Sequence, residues 1–109
     1  MKRGEVWSAA TGGGFGGKPR PVVIVQGAVF GETPNVIVAL CNTAIGEADE
    51  VRPRIQPDAE NGLKNVSDVG VDILVTVPRR NFGERFGQLS AADQSRVFSS
   101  LFLMLGFAE

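Results

Sequence analysis

The sequence has no histidine and a single cysteine, Cys41. One cysteine cannot form an internal disulfide. The two absences together argue against zinc, whose usual ligands are thiolate and imidazole. Acid–base chemistry must then rest on Asp, Glu, Lys or Arg. Cys41 lies inside the apolar run VIVALC and reads as a small buried hydrophobe. No apolar stretch approaches the length of a membrane span. The first residues, MKRGEVW, turn polar at once and do not have the form of a signal peptide. The expectation is a cytoplasmic protein that makes no membrane contact. A large charge of one sign is missing too. Eleven Lys and Arg against twelve Asp and Glu leave a net charge of −1. The whole-molecule field therefore lends no support to nucleic-acid binding, and any basic surface must be a local patch.

What is present fits one domain over residues 1–109. Hydrophobic residues make up 43% and charged residues 21%, as in ordinary globular proteins. The stretch TGGGFGGKPRPVVIV, Thr11 to Val25, stands out. Gly12, Gly17 and Lys18 match the spacing of a nucleotide-binding phosphate loop. That motif needs a hydroxyl directly after the lysine to hold magnesium, and Pro19 has none. It must also open a helix, whose N-terminus cradles phosphate. Here Lys18 and Arg20 each precede a proline and are pushed to extended geometry. The apolar run that follows reads as a strand. The order is loop then strand, so a nucleoside triphosphate site is excluded. What remains is a glycine-rich loop feeding a stiff, cationic strand start.

The rest of the chain reads as short strands. GEVWSA, Gly4 to Ala9, is the first, with Trp7 as a core anchor. PVVIVQ and NVIVALCN show no polar alternation, so both of their faces should be covered. Pro53 limits VRPRI to an edge strand or a bulge. NVSDVGVDILVTV, Asn65 to Val77, holds one strand, or two with a kink near Gly70. Pro78 to Phe82 breaks the pattern. Ser90 with Asp93 forms a weak capping box. The helix after it carries Val97, Leu101 and Leu105 on one stripe, with Phe98 and Phe102 beside it. It is apolar nearly all round, which implies burial on more than one side, in part at a subunit interface. Five to seven strands and a C-terminal helix make a mainly β domain.

RGEVW at Arg3, GG then RPVVIV at Arg20, and VIVAL at Val36 resemble the MazF/PemK toxin family. So do Gly62, Leu63 and Ser67, the acid Asp72, and FGERFGQLS from Phe82 to Ser90. The likeness runs through nearly the whole chain in the right order. It implies a small SH3-like or CcdB-like β-barrel of the PemK type and a homodimer. It also implies sequence-specific, metal-independent cleavage of single-stranded RNA, with no cofactor, held in check by a cognate antitoxin. Two other readings share the fold. A CcdB-like gyrase poison would carry a tryptophan near its C-terminus, whereas the single tryptophan here is Trp7. A non-catalytic barrel would bind only an antitoxin-like peptide.

Metal-free RNA cleavage uses the 2′-hydroxyl as nucleophile. It needs a base, a donor set for the charged phosphorane, and help for the leaving 5′-oxygen. The resemblance makes Arg20 catalytic. Its guanidinium fork suits phosphate oxygens, and Pro19 and Pro21 stiffen its backbone. Arginine holds its proton tightly, so charge stabilisation is its main expected role. The family donor after the VIVA strand falls on Asn42 without a gap and on Thr43 with a one-residue shift. Asp72 matches the family's acidic position and is the candidate base, with Glu5 or a second subunit as other sources. Gly70 stands where some members carry an arginine, and Val75 stands in a frequent Arg-Thr pair. Lys18, Ser67, Arg52, Arg54 and Arg79 are candidate RNA contacts that position phosphates rather than read bases. Phe15 is a candidate for stacking on a base or, equally, for a hydrophobic grip on the antitoxin.

Overall fold

The computed structural model describes residues 1–12, 17–48 and 51–107. Six strands form one antiparallel, curled sheet: β1 Glu5–Ala9, β2 Arg20–Ile24, β3 Asn35–Thr43, β4 Arg54–Ile55, β5 Ser67–Pro78 and β6 Phe82–Gln88. Helix α1, Ala91–Met104, follows. The strand order is β4-β5-β3-β2-β1-β6. The expected mainly β fold with a C-terminal helix is the fold observed.

Strand periodicity explains the core. Successive side chains of a strand point to opposite faces, and both faces of the central strands are buried. Val23, Ala39 and Cys41 pack with Val6, Leu89, Val97 and Leu101 on one face. Val22, Ile24, Val36, Val38 and Leu40 pack on the other, with Trp7 and Phe82 at its margin. The unalternating apolar runs of β2 and β3 are thus the sequence form of a sheet covered twice. Trp7 is half-buried and meets Phe82 edge-on, with ring centroids 6.1 Å apart. Pro53 directly precedes β4, a two-residue edge strand, as proline's missing N–H requires.

β5 is one strand with a large irregularity. Ala39 pairs with Leu74 but Leu40 pairs with Gly70, so Val71, Asp72 and Ile73 have no partner on β3. An odd number of extra residues exchanges the two faces. Val69 and Val71 accordingly join the first core cluster, and Ile73, Val75 and Val77 join the second. Asp72 sits exposed in the middle of the bulge. Gly70 lies at its start. A Cβ there would lie 3.3 Å from the Leu40 carbonyl oxygen, a tight fit that favours glycine.

The segment before β5 folds tightly against β6. Asp58 Oδ1 accepts from the backbone N–H of Glu60 and Asn61, and buried Asn61 donates to the Gln56 carbonyl at 2.9 Å. Gln88 N–H donates to the Glu60 carbonyl at 2.9 Å. The approach is so close that a Cβ on Gly87 would fall 2.0 Å from that carbonyl oxygen.

Ser90 caps α1: its Oγ accepts from Asp93 N–H at 3.1 Å. Val97 and Leu101 are buried, but Leu105 is 51% exposed, as are Phe102, Leu103 and Met104 to similar degrees. Within one chain α1 is therefore buried on one side only, and the rest of its apolar surface faces outward. No helix among the described residues is long and apolar enough to cross a membrane.

Candidate phosphate-binding site at the Arg20 end of the sheet

Arg20 opens β2, and Asn42 and Thr43 close β3. The register places Val22 opposite Leu40, which brings Arg20 level with Asn42. Arg20 Nη1 donates to Asn42 Oδ1 at 3.2 Å. On the other side of β3, Asn42 lies opposite Asp68 and Thr43 opposite Ser67. β4 adds Arg54 opposite Asp68. Antiparallel pairing alone thus gathers polar residues from four strands at one end of the sheet. Arg20, Asn42, Thr43, Ile45, Arg52 and Asp68 line a single open pocket there.

Two ion pairs build its walls. Arg52 holds Asp72 by two hydrogen bonds of 3.0 Å. Chiefly through these bonds from Arg52, the Asp72 carboxyl is held below its ordinary value of 3.8. Arg54 grips Asp68 at 2.9 and 3.2 Å and donates to the backbone carbonyls of Gly46 and Ile45 at 2.8 and 3.3 Å. Both side chains of the Arg54–Asp68 pair are largely buried, at 18% and 16% exposure.

The expected site residues separate in space. Arg20, Asn42, Thr43 and Arg52 share the pocket, with Asp72 behind Arg52. Lys18 is exposed two residues before Arg20. Arg54 is engaged by Asp68 and by the carbonyls of Gly46 and Ile45. Arg79 is not at the site. It follows the far end of β5, where Pro78 pairs with Asn35, and its Nε donates to the Thr33 carbonyl. Ser67 is buried, and its Oγ donates to the Asn65 carbonyl at 2.9 Å. Phe15 lies outside the described residues. Glu5 is four residues along β1 from Ala9, which pairs with Arg20. Burial raises the Glu5 carboxyl, but hydrogen bonds from Lys2 N–H, Trp7 and Arg85 outweigh it and leave it lowered.

Sequence reasoning missed Asp68 and Ile45. A signal for Asp68 was present, since a charged residue beside Ser67 interrupts a β-branched run. Ile45, 86% exposed, had none. Among the described residues no three His, Cys, Asp or Glu side chains gather as metal ligands do.

Two guanidinium groups, an amide, a hydroxyl and the Asp68 carboxylate line one open pocket, and guanidinium forks suit phosphate oxygens. The class defined is a small curled-sheet barrel with a phosphate-competent pocket at one end. The chain belongs to the PemK-like, MazF-like toxin family of type II toxin–antitoxin systems, whose family pattern matches residues 2–105. It is 39% identical over 108 residues to the probable endoribonuclease MazF of Mycolicibacterium smegmatis (strain ATCC 700084 / mc(2)155), covering 99% of each chain. Its fold resembles an endoribonuclease in complex with its cognate antitoxin from a mycobacterial species: TM-score 0.80, 20% identity, 97% of this chain and 95% of that one. The Mycobacterium tuberculosis toxin MazF-mt6 is similar at TM-score 0.75 and 25% identity, over 93% of this chain and 95% of that one.

Proposed function

We propose that this chain, acting as one domain over residues 1–109, is an endoribonuclease toxin that cuts single-stranded RNA at the Arg20 pocket. The carrying observation is the Arg20–Asn42 hydrogen bond at the mouth of a pocket that also holds Thr43 and Arg52. The 2′-hydroxyl attacks the adjacent phosphorus as the bond to the 5′-oxygen breaks, giving a 2′,3′-cyclic phosphate and a 5′-hydroxyl that takes its proton from water. Arg20 meets the charge that develops on the phosphorane, and preorganised donors of this kind supply the largest single share of such catalysis. Thr43 and Asn42 donate to the non-bridging oxygens. Asp72 takes the 2′-hydroxyl proton, and Arg52 keeps that carboxylate ionised. Lys18 adds a phosphate contact at the rim. The chemistry asks for no metal or cofactor.

One structurally similar endoribonuclease is described with its cognate antitoxin, and a cognate antitoxin is the partner proposed for this chain. The exposed apolar end of α1, with Phe102, Leu103 and Leu105 each more than half exposed, supports a homodimer, since patches of this kind mark interfaces. The cytosol, where mRNA is found, is the proposed place of action.

The test is cleavage of a long single-stranded RNA by purified protein in EDTA, with ends mapped by primer extension. Discrete cuts by the wild type and none by folded Arg20→Ala are expected. Equal cutting by Arg20→Ala overturns the assignment. If neither cuts, a non-catalytic barrel or gyrase poison stands, and supercoiling inhibition decides between them.

A further inference from the structure

The phosphate pocket holds a carboxylate of its own. Asp68 lines it beside Arg20, Asn42, Thr43 and Arg52, and an anion there opposes the binding of a second one. Strand register brings the conflict close. Asp68 is paired with Asn42 on β3 and with Arg54 on β4. Arg20 stands level with Asn42 and donates to its Oδ1 at 3.2 Å. Arg20, Asn42, Asp68 and Arg54 thus form one row across four strands, on one face of the sheet. Residues directly opposite on paired strands have Cβ atoms about 5 Å apart, so Asp68 is a neighbour of the Asn42 amide. Arg20 is two strand spacings away, about 10 Å, a gap that an arginine and an aspartate side chain span together.

In the structure the carboxylate turns the other way, toward Arg54. Arg54 Nε and Nη2 donate to its two oxygens at 2.9 and 3.2 Å. The same guanidinium donates from Nη1 to the Gly46 carbonyl at 2.8 Å and from Nη2 to the Ile45 carbonyl at 3.3 Å. A guanidinium has five N–H donors, and these four bonds occupy most of them. Arg54 cannot swing to a phosphate without breaking them. Its base is also fixed, because β4 is hydrogen-bonded to β5 at this very residue. Gly46, with φ +69°, turns the chain so that its carbonyl meets Arg54.

We infer that Arg54 is a positioning residue for RNA binding: it holds the Asp68 carboxylate away from Asn42 and Arg20, so that a phosphate rather than Asp68 meets those donors. The inference rests on the proposed RNA cleavage at this pocket and adds what keeps the pocket from binding its own carboxylate. A largely buried charge needs a partner. With Arg54 gone, the Asn42 amide and the Arg20 guanidinium are the next donors along the row, and Asp68 competes for them with the substrate.

The experiment uses a short single-stranded RNA with a 2′-deoxy sugar at the mapped cut site, which binds but lacks the nucleophile. Its Kd is measured in EDTA for wild type, Arg54→Gln and Arg54→Gln/Asp68→Asn, with kcat and KM taken on the all-ribose RNA. Circular dichroism establishes that each variant is folded at the assay temperature, so a change in Kd does not report stability. Arg54→Gln should weaken binding by about 10- to 100-fold, the worth of one hydrogen bond to a charged group. It should raise KM more than it lowers kcat. Adding Asp68→Asn should return Kd to within about 2-fold of wild type, the scatter of independent effects, because no carboxylate is left to compete. If Arg54→Gln does not fold, Arg54→Lys, which keeps the charge without the fork, takes its place in the same comparison. An unchanged Kd in the folded Arg54 variant overturns the inference. So does a double variant that binds as weakly as the single one, which marks Arg54 as a direct RNA contact or a support of the Ile45 turn. In both cases a wild type that cuts RNA leaves the proposed function standing. A wild type that neither cuts RNA nor binds the analogue removes that function and this inference together.

Discussion

Arg20 Nη1 donates to Asn42 Oδ1 at 3.2 Å, so a residue on one strand sets the direction of the guanidinium on the next. The pairing leaves the Asn42 amide hydrogens to face outward chemistry. Arg20→Ala should lower kcat/KM on a short RNA carrying one cut site by about 10²–10³-fold, the usual effect of removing one transition-state donor. Asn42→Ala removes a hydrogen bond to a charged group and should cost about 10-fold or more. Asn42→Asp should be worse than Asn42→Ala, because the new carboxylate competes with the phosphate for Arg20. An Asp variant as active as the wild type would show that Arg20 does not meet the phosphate in this orientation.

Arg54 and Arg79 are both cations of the size and reach to touch RNA, and both have other work. Arg54→Gln should destabilise the fold, because Asp68 loses the partner that holds it by two hydrogen bonds. Urea unfolding measures that. Arg79→Ala should leave cleavage unchanged at every salt concentration. By contrast, Lys18→Ala should reduce the slope of log affinity against log salt by about 0.7, the value for one phosphate contact on a single strand. An Arg79→Ala variant with a reduced slope would place RNA along the far end of β5.

The elements legible in the sequence were those with two buried faces or a local cap. β2 and β3 announced themselves as unbroken apolar runs, and α1 by Ser90 with Asp93. β6 did not. Phe82–Gln88 carries Gly83, Gly87, Glu84 and Arg85, which read as loop composition. Its glycines are there because Ser8 Oγ and the Glu60 carbonyl come within 2.6 and 2.0 Å of where a Cβ would stand. Such close approaches are tertiary facts with no local periodicity. The site was legible where a backbone device marks it, at the Pro-flanked Arg20. It was not legible where it depends on which cation finds which carboxylate. Arg52, Arg54 and Arg79 look alike in sequence, and only strand register assigns them to Asp72, Asp68 and a backbone carbonyl.

The Asp72 pairing has a consequence for pH. Its ordinary value is 3.8, and the hydrogen bonds from Arg52 hold it lower. The carboxylate is therefore ionised throughout the range from about pH 5 to 8. If Asp72 accepts the 2′-hydroxyl proton, kcat/KM should not fall as pH drops from 8 to 5. Single-turnover rates across that range check it. An acid limb with a midpoint near pH 6–7 would remove Asp72 as the base.

Glu5 ties β1 to β6 through Arg85 at 3.2 Å and accepts from Trp7 Nε1 at 3.0 Å. Its carboxyl lies below the ordinary 4.5 in the folded protein. A lowered carboxyl contributes stability that is present above its unfolded value and lost as pH falls through the folded one. Glu5→Gln should therefore be less stable than wild type at pH 7, and the gap should close as pH drops below about 4. Thermal unfolding at both pH values measures it. A gap that stays constant would mean that Glu5 acts through packing rather than charge.

Gly62 and Gly87 hold the loop before β5 against β6, and they do so by opposite means. Gly62 adopts φ +67°, a conformation that other residues reach only with strain, and it also abuts the Phe86 carbonyl. Gly87 has no positive φ but stands 2.0 Å, at its would-be Cβ, from the Glu60 carbonyl oxygen. Strain and overpacking each cost about 1–3 kcal/mol, so Gly62→Ala should cost roughly 2–6 kcal/mol and Gly87→Ala about 1–3 kcal/mol. Because the same loop carries Leu63 and Asn65, a folded Gly87→Ala should also blur the cleavage word while leaving the Arg20 pocket able to cut. Comparing unfolding curves with mapped cut ends separates the two effects. A Gly87→Ala variant that loses stability but keeps the wild-type word would show that the loop's position does not govern which sequence is cut.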